Sequence, residues 1–370
     1  MRKKVTMAGA CQAIRAMKIF KAFRAFAAFV SAVFVLGIFL AAPREAGAVA
    51  PGAVAPGAVA PGEAGTVTEN LRAARKAEAA VFVAAYPDAN IRFVEKEDGL
   101  YLAVSAAPVS TSGSASASAS ASAPASAIGS REIFFSPWAG CPNAPHPDSP
   151  TDSSEDAPLC ASLAQAYPMG EGHREPAPGF EPGRVRNEAF FKALYGANAK
   201  EVESGLEVVS FFGEKLRFSS RHGAAAALRR VTAELEDAVK SDPALKEYIL
   251  PTGGTYAWRR ISKSPRLSAH SFGVCIDLNI EKGIYWQWNP APKTVALIRA
   301  KYPQIVVDAF ERHGFIWGGK WHSFDFMHFE YRPEFLVYSR SIGYASVLSG
   351  ISGNGKTPTT GWRNRVGTQP

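Results

Sequence analysis

Two short segments hold side chains whose types and spacing could do chemistry together. Ser268-Ala-His-Ser-Phe-Gly-Val-Cys-Ile-Asp277 supplies His270 and Asp277, and Asp325-Phe-Met-His-Phe-Glu330 supplies His328 just after Asp325. Two imidazoles and one carboxylate form the donor set of a catalytic zinc site, which keeps a fourth position open. Such an ion polarises a carbonyl and brings the pKa of a water molecule down to roughly 7. Asp325 could then take a proton from the attacking water and pass it to a leaving amine. A cation is also needed for the oxyanion or for a substrate carboxylate. Arg259 and Arg260, in Gly253-Gly-Thr-Tyr-Ala-Trp-Arg-Arg260, are the nearest in sequence.

Each residue also has a plainer reading. A histidine among aromatics is usually a satisfied structural residue, and Asp277 or Asp325 could close a turn. Glu330 could pair with an arginine such as Arg332. Trp258, Trp286, Trp288, Trp317 and Trp321 belong to the core by default, or could line a groove for sugar or peptide. Cys275 lies in an apolar run and reads as a small buried residue, and His322 is open to a supporting role.

The elements that must position these groups follow from periodicity. Phe272, Val274, Ile276, Leu278 and Ile280 alternate with Gly273, Cys275, Asp277 and Asn279, which predicts a loop feeding a strand. A straight strand would put His270 and Asp277 on opposite faces, so Gly273 is expected to bend or bulge the chain. Phe326–Tyr331 is also strand-like; it puts His328 and Glu330 on one face, with Asp325 at the strand's entrance. Upstream, Asn187–Gly196 predicts a short helix, Glu201–Ser204 a further turn, and Leu206–Phe212 with Lys215–Phe218 a hairpin. Amphipathic helices are expected over Ala224–Val239, carrying Leu228, Val231, Leu235 and Val239, and within Thr294–His313.

The N-terminal half is of a different kind. Residues 66–85 predict a helix capped by Thr68, and residues 91–94 and 99–104 a strand pair about the turn at Glu95–Gly99. Residues 106–130 are almost all Ser and Ala and have no apolar face to bury, the composition of a disordered insertion. Residues 137–183 read as an irregular connection. Three copies of a Val-Ala-Pro-Gly unit, starting at Val49, Val54 and Val59, read as a flexible tether.

The chain has 370 residues and a formal net charge of +8. Residues 1–48 carry eight Lys and Arg against one Glu, so the remainder is close to neutral. These residues run from basic to an apolar stretch, Ala25–Ala42, and then to Ala46-Gly-Ala48, the order of a cleavable export signal. The alternative is an uncleaved membrane anchor, because the run approaches spanning length. Either way the basicity belongs to the leader, and no basic patch with interleaved aromatics points to nucleic acid. Cys141 and Cys160 could pair in an oxidising compartment or remain free thiols.

The paired motifs, Ser-x-His-x-x-Gly-x-x-x-Asp and Asp-x-x-His-Phe-Glu, resemble the D-alanyl-D-alanine carboxypeptidase/L-alanyl-D-glutamate endopeptidase zinc family. That group includes VanY-like enzymes and phage endolysins, within the wider lysostaphin/hedgehog-type fold. The resemblance spans about residues 180–345. It implies His270, Asp277 and His328 as ligands to one Zn2+, Asp325 as base, Arg259 as the cation at the substrate or oxyanion, and Ser268 as a substrate-supporting residue. Cys275 stands where the family commonly has Ala, and the base is Asp, as in the endopeptidase branch, where the dipeptidase branch has Glu.

The expectation is therefore an α+β protein: a small antiparallel sheet carrying a zinc site with helices packed on one side, plus a small N-terminal α+β piece and disordered linkers. Its divisions are a signal peptide at 1–48, a tether at 49–65, an α+β segment at 66–105, a linker at 106–183, a zinc peptidase domain at 184–345 and a flexible tail at 346–370. The expected activity is extracytoplasmic hydrolysis of peptidoglycan stem peptides or cross-bridges, with muropeptides as partners and the membrane involved only through an uncleaved leader. Trimming of terminal D-Ala is the alternative activity, and a non-catalytic zinc-containing wall-binding protein is the alternative of another class.

Overall fold

A computed structural model describes residues 61–105, 130–141, 157–170, 173–261 and 264–342. The segments read as an export signal, a Ser/Ala insertion and a C-terminal tail, with most of the expected tether, lie outside the described residues. The first helix among the described residues, α1 (Pro61–Ala85), starts earlier than the expected residue 66 and includes the last Pro-Gly of the repeats. Proline suits a helix's first turn because no intrahelical acceptor awaits its missing N–H. Thr68 is therefore interior to the helix and not its cap.

Strands β1 (Arg92–Glu95) and β2 (Gly99–Ser105) form the expected antiparallel pair. A third strand, β3 (Ser130–Pro137), lies antiparallel along the other edge of β2. Sequence reading missed it because its first three residues are exposed and only the half with Ile133 and Phe135 faces the core. The segment read as irregular also contributes to the core. Its helical turn Leu159–Leu163 is buried, and Cys160 is disulfide-bonded to Cys141. Tyr167, fully buried, donates to Glu311 Oε1 at 2.7 Å and accepts the Trp317 N–H at 2.9 Å.

Helix α2 (Glu188–Tyr195) begins where expected, with Asn187 Oδ1 accepting the Phe190 N–H at 2.8 Å. It meets α1 through edge-on ring contacts of Phe190 with Phe82 and Tyr86, at 5.2 and 5.7 Å. The short α3 (Ala199–Ser204), the hairpin β4 (Leu206–Phe211) and β5 (Glu214–Ser219), α4 (Ala224–Ser241) and the one-turn α5 (Lys246–Ile249) follow. Helix α4 buries Leu228, Val231 and Leu235 along one stripe.

The last third carries a three-stranded antiparallel sheet in the order β6 (Cys275–Asp277), β8 (His328–Tyr331), β7 (Phe315–Trp317). The helix anticipated within Thr294–His313 is two helices, α6 (Pro292–Lys301) and α7 (Gln304–Arg312). Pro303 separates them: it offers no N–H to the ladder and holds Tyr302 in an extended conformation, with ψ 126°. In α7, Val306, Val307 and Phe310 are buried, while Ile305 faces outward. Phe310 stacks on Phe329 of β8 with ring centroids 4.0 Å apart, and α8 (Pro333–Ser341) closes the described chain. Phe329 thus turns toward the helices, which leaves His328 and Glu330 on the opposite face of the sheet. The fold is α+β, as anticipated. Among the described residues, no helix is long and apolar enough to cross a membrane.

Candidate metal centre and its cleft

His270 reaches the site from a helical turn, not a strand. Ala269–Phe272 forms a short 3-10 turn that ends at Gly273, whose left-handed φ of 65° reverses the chain into β6. The bend expected at Gly273 is therefore real, and it puts His270 beside Asp277 at the end of β6. Asp277 and His328 are register partners across β6 and β8. Three atoms converge: His270 Nε2 lies 3.2 Å from both Asp277 Oδ1 and His328 Nδ1, and the last two are 2.9 Å apart. A tetrahedral zinc with bonds of roughly 2.0–2.1 Å spaces its donors about 3.3 Å apart, so the triangle fits that ion's size.

The surroundings fix which nitrogen of His270 faces inward. His270 Nδ1 lies 2.6 Å from the Thr255 carbonyl, which can only accept, so the proton sits there and Nε2 keeps its lone pair. The glycine-rich strip before Thr255 is itself tied to β6, Gly253 N–H to Asp277 O at 2.7 Å and Asp277 N–H to Gly254 O at 3.0 Å. That pairing fixes the spacing between Thr255 and Asp277.

The electrostatics favour positive charge. Burial opposes ionisation of Asp277, but the two imidazoles, His270 foremost, hold its carboxyl well below the usual carboxylate range. Burial likewise opposes charge on His328, yet Cys275, Asp277 and Glu330 together draw its pKa well above that of a free imidazole. A donor set that stabilises a carboxylate and attracts a proton is matched to a cation. Cys275, His328 and Glu330 also lie within 4.8 Å of one another. They make a poor second metal site: burial pushes the Cys275 thiol up to about 11, and two guanidinium groups already occupy Glu330.

Asp325 is half-buried and lines the cleft beside the same centre. Its backbone forms a bridge with Tyr285, and its Oδ1 is buried without a hydrogen-bond partner. The Asx-turn alternative finds no support, because Asp325 Oδ1 accepts no hydrogen bond; the backbone carbonyl accepts the His328 N–H at 3.3 Å. Burial raises the Asp325 carboxyl to about 6, against the pull of His328 and with a push from Asp277. A buried carboxyl with an unpaired oxygen and a pKa in that range has the character of a general base.

These groups open onto a cleft of about 250 Å³. Ser268 and Arg259 line it, as do Arg184, Arg186 and Arg266. Ser268 is buried, and its Oγ accepts the His270 N–H at 3.4 Å, so it also shapes the turn that carries a ligand candidate. Arg260 faces a neighbouring hollow instead. Of the five tryptophans assigned by default to the core, Trp288 and Trp321 line the cleft, and Trp288 is 57% exposed. His322 is not in the cleft wall; its Nδ1 lies 4.0 Å from Glu181.

Sequence reasoning missed Arg186. It stands before α2, far from both motifs, and clamps Glu330 through two nitrogens at 2.7 and 2.8 Å. The only signal available was the glutamate itself, whose burial demands a partner.

A family model described as D-alanyl-D-alanine carboxypeptidase matches residues 262–331. The matched stretch holds Ser268, His270, Asp277, Asp325 and His328, and leaves out Arg184, Arg186 and Arg259. The chain is thus similar to that family across both metal-site motifs. No curated protein and no solved structure matches the chain.

Proposed function

We propose that this chain is a zinc peptidase acting on the peptide part of peptidoglycan outside the cytoplasm. The observation that carries the reading is the convergence of His270 Nε2, Asp277 Oδ1 and His328 Nδ1 within 2.9–3.2 Å, in a cleft shared with the unpaired carboxyl of Asp325. These three atoms would hold the ion. Zinc bound there would supply Lewis acidity toward a carbonyl oxygen and lower the pKa of a water molecule.

The chain's own residues do the rest. Asp325 takes one proton from the attacking water as the new C–O bond forms. It returns that proton to the amine nitrogen as the C–N bond breaks, leaving a carboxylic acid and an amine. Arg259 faces the same cleft and places positive charge where the oxyanion or a substrate carboxylate would develop. Ser268 supports the substrate side of the wall. Burial raises the proton affinity of Asp325 above that of a free carboxylate, which suits it to the transfer.

Internal cleavage of stem peptides or cross-bridges is the preferred activity, in keeping with Asp in place of Glu as the base. Trimming of a terminal D-Ala is the second reading, favoured by the description of the matching family model. Digestion of purified peptidoglycan, followed by mass spectrometry, decides between them: new amino termini mark internal cleavage and free D-Ala marks trimming. Activity that survives a chelator would overturn the zinc reading. Stoichiometric zinc uptake without turnover on any muropeptide would favour a wall-binding protein.

A further inference from the structure

We propose that Glu330, clamped between Arg186 and Arg332, is a positioning residue that fixes His328 as an Nδ1 ligand; this rests on the metal reading of the His270–Asp277–His328 cluster. A neutral imidazole that offers Nδ1 as a lone pair must carry its proton on Nε2. In this fold His328 Nε2 is buried and makes no hydrogen bond, and the Glu330 carboxylate faces it at ion-pair distance, Oε2 at 3.5 Å on the same face of β8. A carboxylate facing that nitrogen favours the tautomer in which Nε2 holds the proton and Nδ1 is free.

A carboxylate can do this only if it is itself held. Arg186 grips both oxygens of Glu330, and Arg332 reaches Oε1 at 3.2 Å. Glu330 is fully buried, so it has no solvent to relax into and a single orientation is enforced. The brace continues outward. Arg332 donates to Glu334 Oε1 at 2.5 Å, and Tyr86, at the end of the N-terminal helical segment, donates to Glu334 Oε2 at 2.6 Å. The N-terminal α+β piece therefore contributes to the metal centre through four links: Tyr86, Glu334, Arg332 and Glu330. No chemistry within residues 66–105 is needed to explain why that piece packs where it does.

Zinc affinity of the full chain, measured by chelator competition at a temperature where every variant is folded by circular dichroism, tests the assignment. Glu330→Gln leaves one acceptor oxygen to be shared by two guanidinium groups and removes the charge facing Nε2. It should weaken zinc binding by on the order of 10- to 100-fold. Two controls isolate the effect. Glu311→Gln disturbs an equally buried ion pair, with Lys320, away from the cleft; Cys275→Ala removes the other group beside His328. Both should stay within about twofold of wild type, by the same standard. Wild-type affinity in Glu330→Gln, or an equal loss in either control, overturns the positioning role while leaving the metal site intact. A wild-type chain that takes up no zinc overturns the metal reading, and this inference with it.

Discussion

Asp325 and Gly318 interlock. The Asp325 N–H donates to the Gly318 carbonyl at 3.0 Å, and a Cβ added to Gly318 would meet the Asp325 carbonyl oxygen at 2.6 Å and its Cβ at 3.1 Å. The loop that carries the proposed base therefore closes only over a residue without a side chain. Gly318→Ala should push Asp325 away from the centre and lower kcat by on the order of a hundredfold. Zinc stoichiometry should be unchanged, since the β6–β8 pairing still holds His328 opposite Asp277. Metal analysis beside steady-state rates checks both halves.

Asp325→Asn keeps shape and loses the base. The expected loss in kcat is on the order of 10²- to 10⁴-fold, with zinc retained. The wild-type rate should fall as pH drops through the carboxyl's pKa, because only the ionised form accepts the proton. Burial places that pKa at about 6, and a bound cation would draw it lower. The acidic limb should therefore lie no higher than about 6. A limb near neutrality would point to a different group.

His270→Ala and His328→Ala should each lose stoichiometric zinc together with hydrolysis. The two variants should also behave alike when assayed with excess zinc, since three protein donors are the minimum for a catalytic site. Full zinc occupancy in either variant would remove that histidine from the ligand set.

Lys320→Met tests a buried structural pair outside the cleft lining. Lys320 and Glu311 are 2% and 4% exposed at their side chains, and Lys320 also donates to the Pro168 carbonyl. Removing one partner strands the other charge in the core, at a cost of roughly 3–5 kcal/mol. Thermal unfolding should show that loss while zinc affinity stays near wild type.

Tyr86→Phe removes the donor that the residue following α1 offers to the fully buried Glu334. The expected destabilisation is about 1–3 kcal/mol, the cost of leaving a buried acceptor short of a partner. Equal unfolding midpoints for variant and wild type would mean that the N-terminal segment is not braced through this contact.

The centre was legible because its donors sit in two compact motifs, and because period-two alternation already put His328 and Glu330 on one face. The approach of His270 was only half legible: glycine announced a bend, but nothing in residue order distinguished a bulge from the 3-10 turn that forms. Arg186 could not be read at all, since its partner lies 144 residues away in sequence. The same limit hid β3 and the burial of Leu159–Leu163 and Tyr167, whose apolar groups find partners only through tertiary contact. The helix break at Pro303 was written in the sequence, as was the suitability of Pro61 for a first helical turn; in both places apolar periodicity and repeat composition outweighed the proline.

The antiparallel register between β6 and β8 has a consequence for folding fidelity. Asp277 faces His328 because Ile276 faces Phe329 and Cys275 faces Glu330. A slip of one residue would bring Met327 or Phe329 opposite Asp277 and turn the imidazole to the other side of the sheet. The misregistered chain would bury Glu330 among aromatics and offer a cation only two of its three donors. If these three groups hold an ion as proposed, its capture would report on the sheet as well: a molecule that offers all three donors has its strands in the correct alignment.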